Sequence, residues 1–325
     1  MLRSNWYTHH DRLRRPARLA VVVVAALAMV SLFVVPGLQT PTGDPPAASG
    51  YFKLVPAGGW STLPGDDTCA SRIRRSTWEP RPSNALPNRT MPDVAAVHAA
   101  LAARPRGAAG GYDARWDKWL LPRVTGQHIG TTDENIQWAA CKWGLPDNLV
   151  RAVADVESTW YQDERHPSGA CVNKRGCGDF FDRPSAASGV YCREIARYGY
   201  DYQKDFGARL CPKTFSIVGV MSWEDPKWGL MRGNQNGTFP FNRDSTAYAL
   251  DYYGSFIRGC LEGWAWFLTG TPKSAGGTGS TTAVEGRLGG CVGAWFAGAW
   301  RTKDANDYEA LVRRTEANRV WLHRP

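Results

Sequence analysis

Eight cysteines, at positions 69, 141, 171, 177, 192, 211, 260 and 291, are spread along most of this chain, with no CxxC pair and no zinc-like spacing to a histidine. An even, dispersed set of this kind points to disulfides and away from metal ligands, so the fold must let distant segments meet. Eight cysteines allow 105 pairings, which leaves connectivity open. The one pair that the sequence favours is Cys171 with Cys177, closing a short loop. Cys69 stands inside a Pro-, Gly- and Ser-rich tract, a warning that part of that tract is tied onto the folded domain. No residue pattern suggests a metal, a nucleotide or a flavin, so no cofactor is expected.

Disulfides need an oxidising compartment, and the N-terminus supplies a route to one. Residues 19–35, LAVVVVAALAMVSLFVV, are uncharged and apolar over about one membrane thickness of helix. Arg3, Arg12, Arg14, Arg15 and Arg18 precede them against a single Asp11. This is the flank that stays in the cytoplasm while the remainder is exported. Residues 1–18 are thus read as a basic cytoplasmic segment and 19–38 as a signal peptide or signal anchor. Only PPAAS at 45–49 resembles a cleavage site, which favours an anchor in the inner membrane. Of the net charge of +9, about +5 belongs to the exported part. That suits an anionic surface such as a cell-wall polymer, and no nucleic-acid partner is expected outside the cell.

Residues 39–111 carry long Pro/Gly-rich stretches and read as a linker with one short helix near 92–103. From 112 to 325 the chain reads as a mainly helical globular domain, and twelve of the fifteen Trp lie after residue 115. TTDENIQWAACKWG opens with a threonine and acids and places Ile136, Ala139, Ala140 and Trp143 on one helical stripe before stopping at Gly144. LPDNLVRAVADVES follows, with Leu149, Ala152, Val153 and Val156 on its stripe. Residues 163–215 are irregular, and FSIVGVMSW is too short to be assigned between strand and buried turn. A helix is expected from about Ser245 to Leu268, and a last one over KDANDYEALVRRTEANRVWL.

Glu157 is the anomaly in the second of these helices. At about 100° per residue from Leu149 it lies near 80°, on the shoulder of the buried face and in the last turn. Partial burial and the negative end of the helix dipole both disfavour its ionised form. A carboxyl kept protonated near neutral pH is what a general acid for glycosidic cleavage needs; lysozyme is the familiar case of that pattern. A boundary glutamate paired with an Arg or a backbone amide would fit the same angle.

TGQHIGTTDENIQWAACKWGLPDNLVRAVADVESTW resembles the opening of the catalytic domain of soluble lytic transglycosylase-like proteins of actinobacterial type. The likeness continues through CPKTFSIVGV, NRDSTAYALDYYGSFIRGCLEGW and GGCVGAWFAGAW and covers roughly residues 112–322. It implies a lysozyme-like, mainly α (α+β) fold with a small β element, and cleavage of the β-1,4 bond between N-acetylmuramic acid and N-acetylglucosamine in peptidoglycan glycan strands. The glutamate of the ES pair, Glu157 here, would be the sole catalytic acid/base. It would protonate the leaving oxygen and then take the proton of the muramoyl 6-hydroxyl, closing a 1,6-anhydro ring. No second carboxylate is then required, and none of Asp163, Glu164, Asp179 or Asp182 is marked out by spacing.

The sequence also departs from that pattern. Ser216 stands where relatives carry Gly, Gly219 where they carry a sugar-lining Gln, and AWFAG at 294–298 replaces their AYNAG. The candidates for contact with sugar are Ser158, Trp160, Tyr161, Ser216, Gly219, Met221, Trp223, Tyr248, Tyr252 and Trp295, the aromatic ones because pyranose faces stack on rings. Tyr248 and Tyr252 are four apart and share a helix face. Two alternatives stay beside the transglycosylase: a catalytically weak or inactive descendant that binds glycan or an envelope-assembly partner, and a hydrolytic muramidase that uses the same acid.

Overall fold

The computed structural model describes residues 43–103, 114–164, 176–178, 186–199, 201–207, 210–222, 236–265, 268 and 281–323. The expected membrane segment and Trp223 lie outside these residues. Among the described residues no helix is long and apolar enough to cross a membrane.

Local sequence sets the two central helices as expected. α3 (Thr132–Trp143) begins with a capping box between Thr131 and Glu134 and ends on Gly144 in the left-handed region. α4 (Asp147–Ser158) follows directly, with Pro146 as its N-cap. Every residue of α3 is buried, including Asp133, Glu134, Asn135, Gln137 and Lys142. A helix buried all round must find partners for such groups. The N-terminal tract supplies part of them: Ser76 N–H donates to Glu134 at 3.0 Å and Arg74 N–H to Gln137 at 2.8 Å.

That tract corrects the linker expected over 39–111. Through 43–103 it belongs to the compact unit that spans Gln39–Pro325, with Leu63, Ile73, Trp78, Val97 and Leu101 in the main core. It contains α1 (Asp66–Arg72) and α2 (Val94–Ala103), and the Cys69–Cys141 disulfide fastens α1 to α3. Tyr51 and Phe52 N–H groups bond Asp147 at the start of α4. A Pro/Gly-rich composition suggests a solvated linker, but these prolines shape short turns that lie against α3, so backbone groups are satisfied across the interface.

The region 163–215, expected to be irregular, holds α5 (Ala186–Ala196) and α6 (Tyr202–Phe206), with Cys192 and Cys211 bonded beside them. Cys177 is disulfide-bonded as well. Cys171, its expected partner, lies outside the described residues. Residues 214–221, which include most of FSIVGVMSW, form a tight hairpin, β1 (Thr214–Phe215) against β2 (Val220–Met221), with Thr214 opposite Met221 and Phe215 opposite Val220. α7 (Phe241–Asp244) leads into α8 (Thr246–Leu261), which stops short of the expected Leu268 because the chain turns through Gly263 at φ 76°. α9 (Thr281–Ala297) is joined to α8 by Cys260–Cys291, and α10 (Lys303–Asn318) packs on both α9 and α4. The molecule is thus α-rich, disulfide-stapled and equipped with a small β hairpin.

One buried hub ties α3 to α8. Asp251 accepts from Lys142 Nζ at 2.8 Å, Trp143 Nε1 at 2.7 Å and the N–H groups of Thr125 and Gly126. A buried carboxylate survives desolvation only with this many donors.

Candidate active site

α4 carries Glu157 to the place where three other elements meet. The helix ends because Thr159 and Trp160 both take positive φ, 52° and 69°. For a β-branched residue this is an unfavourable conformation that the surroundings must hold. Arg81 Nε donates to the Thr159 carbonyl at 2.8 Å and Asn84 Nδ2 to the Trp160 carbonyl at 2.7 Å, so the N-terminal tract clamps the exit of α4. Glu157 itself is half-buried.

The hairpin turn 216–219 lies beside it, and its backbone is held group by group. Ile217 N–H donates to Gln162 Oε1 at 3.1 Å, and the Ile217 carbonyl accepts from Ser158 Oγ at 2.9 Å. The Val218 carbonyl accepts from Trp295 Nε1 at 2.9 Å, and the Val220 carbonyl from Asn242 Nδ2 at 2.9 Å. Gly219 N–H is turned inward to the Ser216 carbonyl at 3.1 Å, which takes this amide away from the acid. Ser216 stands at φ 89°, a conformation that favours glycine.

Gly219, at φ 65°, brings the turn against the acid: a Cβ built there would lie 2.7 Å from Glu157 Oε2. A side chain at this position therefore cannot coexist with the carboxylate as placed. On the opposite side the Tyr308 hydroxyl, from α10, donates to Glu157 Oε1. Burial, and after it the Glu157 charge, pushes the Tyr308 phenol well above its ordinary pKa, so it stays a donor. Tyr253, from α8, is also shifted upward by burial and then by Glu157, and its buried hydroxyl has no hydrogen-bond partner among the described residues. The hydrogen bond from Tyr308 favours the ionised carboxylate, whereas partial burial and the end of α4 favour the protonated one. The acid thus sits between opposing influences.

The expected sugar contacts separate into two groups. Ser158, Trp160, Ser216, Tyr248 and Tyr252 are buried. Ser158 serves the hairpin, Trp160 packs edge-on to Trp78 at 5.2 Å and donates to the Arg151 carbonyl, and Tyr248 and Tyr252 share a face as expected but stack in the core at 6.4 Å. Rings enclosed in this way present no face to a sugar, because the N-terminal tract and the neighbouring helices cover them. Tyr161, Gly219, Met221 and Trp295 are half-buried. Tyr161 lies under the Arg81 guanidinium at 4.7 Å, while Trp295 is spent on the hairpin carbonyl and packs edge-on against Tyr253 and Phe256. Sequence reasoning did not find Tyr308, Tyr253, Gln162, Asn242, Arg81 or Asn84. Tyr308 falls on the buried stripe of α10 with Val312, and nothing local tells that it faces a carboxylate on α4.

No family model, curated protein or solved structure matches the chain.

Proposed function

We propose that the chain is a lytic transglycosylase of lysozyme-like type, exported as a membrane-anchored or secreted protein and acting on peptidoglycan. The observation that carries this reading is Glu157: a half-buried carboxyl at the end of its helix, with one oxygen held by Tyr308 and the other facing the backbone of a β hairpin at Gly219. In the protonated acid the hydrogen sits on Oε2, since Oε1 accepts from Tyr308. Glu157 donates that proton to the glycosidic oxygen as the C1–O bond breaks. The resulting carboxylate then takes the proton of the muramoyl 6-hydroxyl, whose oxygen bonds to C1 and closes the 1,6-anhydro ring. Tyr308 stabilises the carboxylate that exists between the two transfers.

Two further readings share this site. A glycan-binding protein of weak or no activity is favoured by Gly219, which offers no amide to orient the sugar, and by its N–H being turned to Ser216. A hydrolytic muramidase would use the same acid with water as nucleophile. Incubating the full chain with purified peptidoglycan and analysing products by mass spectrometry separates them. Anhydro-muropeptides support the transglycosylase, reducing ends the muramidase, and retention on the wall without products the binding protein.

A further inference from the structure

Phe296 is a large apolar side chain left 54% exposed at the end of α9. It is linked to the candidate acid through a single residue, Tyr308. Its ring stacks on Tyr308 with centroids 4.7 Å apart and planes only 2° from parallel, and Tyr308 is the residue whose hydroxyl holds Glu157 Oε1. One face of Phe296 is therefore covered by the phenol, and its outer part is open to solvent. Leu311, one turn along α10 from Tyr308, is 41% exposed as well. An isolated exposed apolar residue needs no explanation, but this one is rigidly backed by the ring that positions the carboxylate.

We propose that Phe296 is the stacking platform for the saccharide unit flanking the bond that Glu157 protonates. This rests on the reading of Glu157 as a glycan-cleaving acid. The carboxylate lies off the hydroxyl end of Tyr308, whereas the open face of Phe296 is one ring layer away from the phenol. A pyranose seated on Phe296 is thus displaced from the acid and belongs to a neighbouring unit of the chain, not to the one whose glycosidic oxygen is protonated. A flat apolar ring suits the CH face of a hexopyranose, and its parallel stacking on Tyr308 orders it in part before binding, which reduces the rotamer entropy lost. Phe296 is therefore a residue for substrate length and affinity, not for the proton transfer.

The test compares β-1,4-linked N-acetylglucosamine oligomers of two and six units, titrated against the full chain and its Phe296→Ala and Phe296→Trp variants. Phe296→Ala is expected to weaken the hexamer about tenfold, to leave the dimer unchanged and to leave the pH profile of peptidoglycan cleavage in place, with Phe296→Trp restoring hexamer affinity. Hexamer binding by Phe296→Ala equal to that of the parent overturns the proposal. So does equal loss for both oligomers together with a lower unfolding temperature, which would mean that the ring only supports Tyr308. Failure of the catalytic reading looks different: Glu157→Gln would release wall products at the parental rate, whatever the two oligomers do at Phe296.

Discussion

At the residue scale the proposed chemistry depends on what touches Glu157. Glu157→Gln keeps the shape and the Tyr308 contact but carries no transferable proton, so release of anhydro-muropeptides should fall by about 10² or more while the melting temperature holds. Tyr308→Phe removes the donor to Oε1 and with it a stabiliser of the ionised form. The acid then retains its proton to higher pH, so the alkaline limb of the pH–rate profile should move upward; an unmoved limb would exclude Tyr308 from tuning the acid. Gly219→Gln is the instructive exchange. The missing amide invites it, yet φ 65° and the 2.7 Å approach to Oε2 mean that the new side chain must displace Glu157. We expect a loss of about 1–2 kcal/mol in denaturant unfolding and lower activity, not rescue.

At the element scale the site is a helix end pressed against a hairpin. Neither element is informative alone: the hairpin has two residues per strand, and its turn persists because Ser158, Gln162, Trp295 and Asn242 satisfy its backbone. Trp295→Phe keeps the ring against Tyr253 and Phe256 but removes the donor to the Val218 carbonyl. It should cost about 1–2 kcal/mol, read from urea midpoints, and reduce turnover more than substrate binding, because the turn that backs the acid loosens. The sequence placed α3 and α4 well, since capping box, glycine stop and apolar stripe are local signals. It misjudged the region 163–215 and the end of α8, where short helices depend on disulfides and on a single turn glycine.

At the scale of the whole molecule the N-terminal tract is part of the domain and of its site. A fragment beginning at residue 112 lacks the cover over α3, the Cys69–Cys141 bond and the Arg81 and Asn84 clamp on 159–160. Circular dichroism and limited proteolysis should find it unfolded or molten beside the full chain, and a cooperative, protected fragment would refute this view. Replacing both cysteines of that bond, 72 residues apart in sequence, should lower stability by about 4 kcal/mol in the chain-entropy account.

The sequence by itself determined what short-range physics controls: the helical class of the domain, where its central helices start and stop, the presence of disulfides, and a glutamate on the shoulder of a buried stripe. Only the tertiary structure decided what that glutamate meets. Tyr308 lies 151 residues further along and Arg81 precedes the helix by most of a domain, so no window of sequence contains the contact. Burial of the supposed linker was likewise decided at a distance. Its prolines and glycines are locally those of solvated chain, and only distant partners bring that tract into the fold: the core that takes up Leu63, Ile73, Trp78, Val97 and Leu101, the disulfide to Cys141, and the polar groups of α3 and α4.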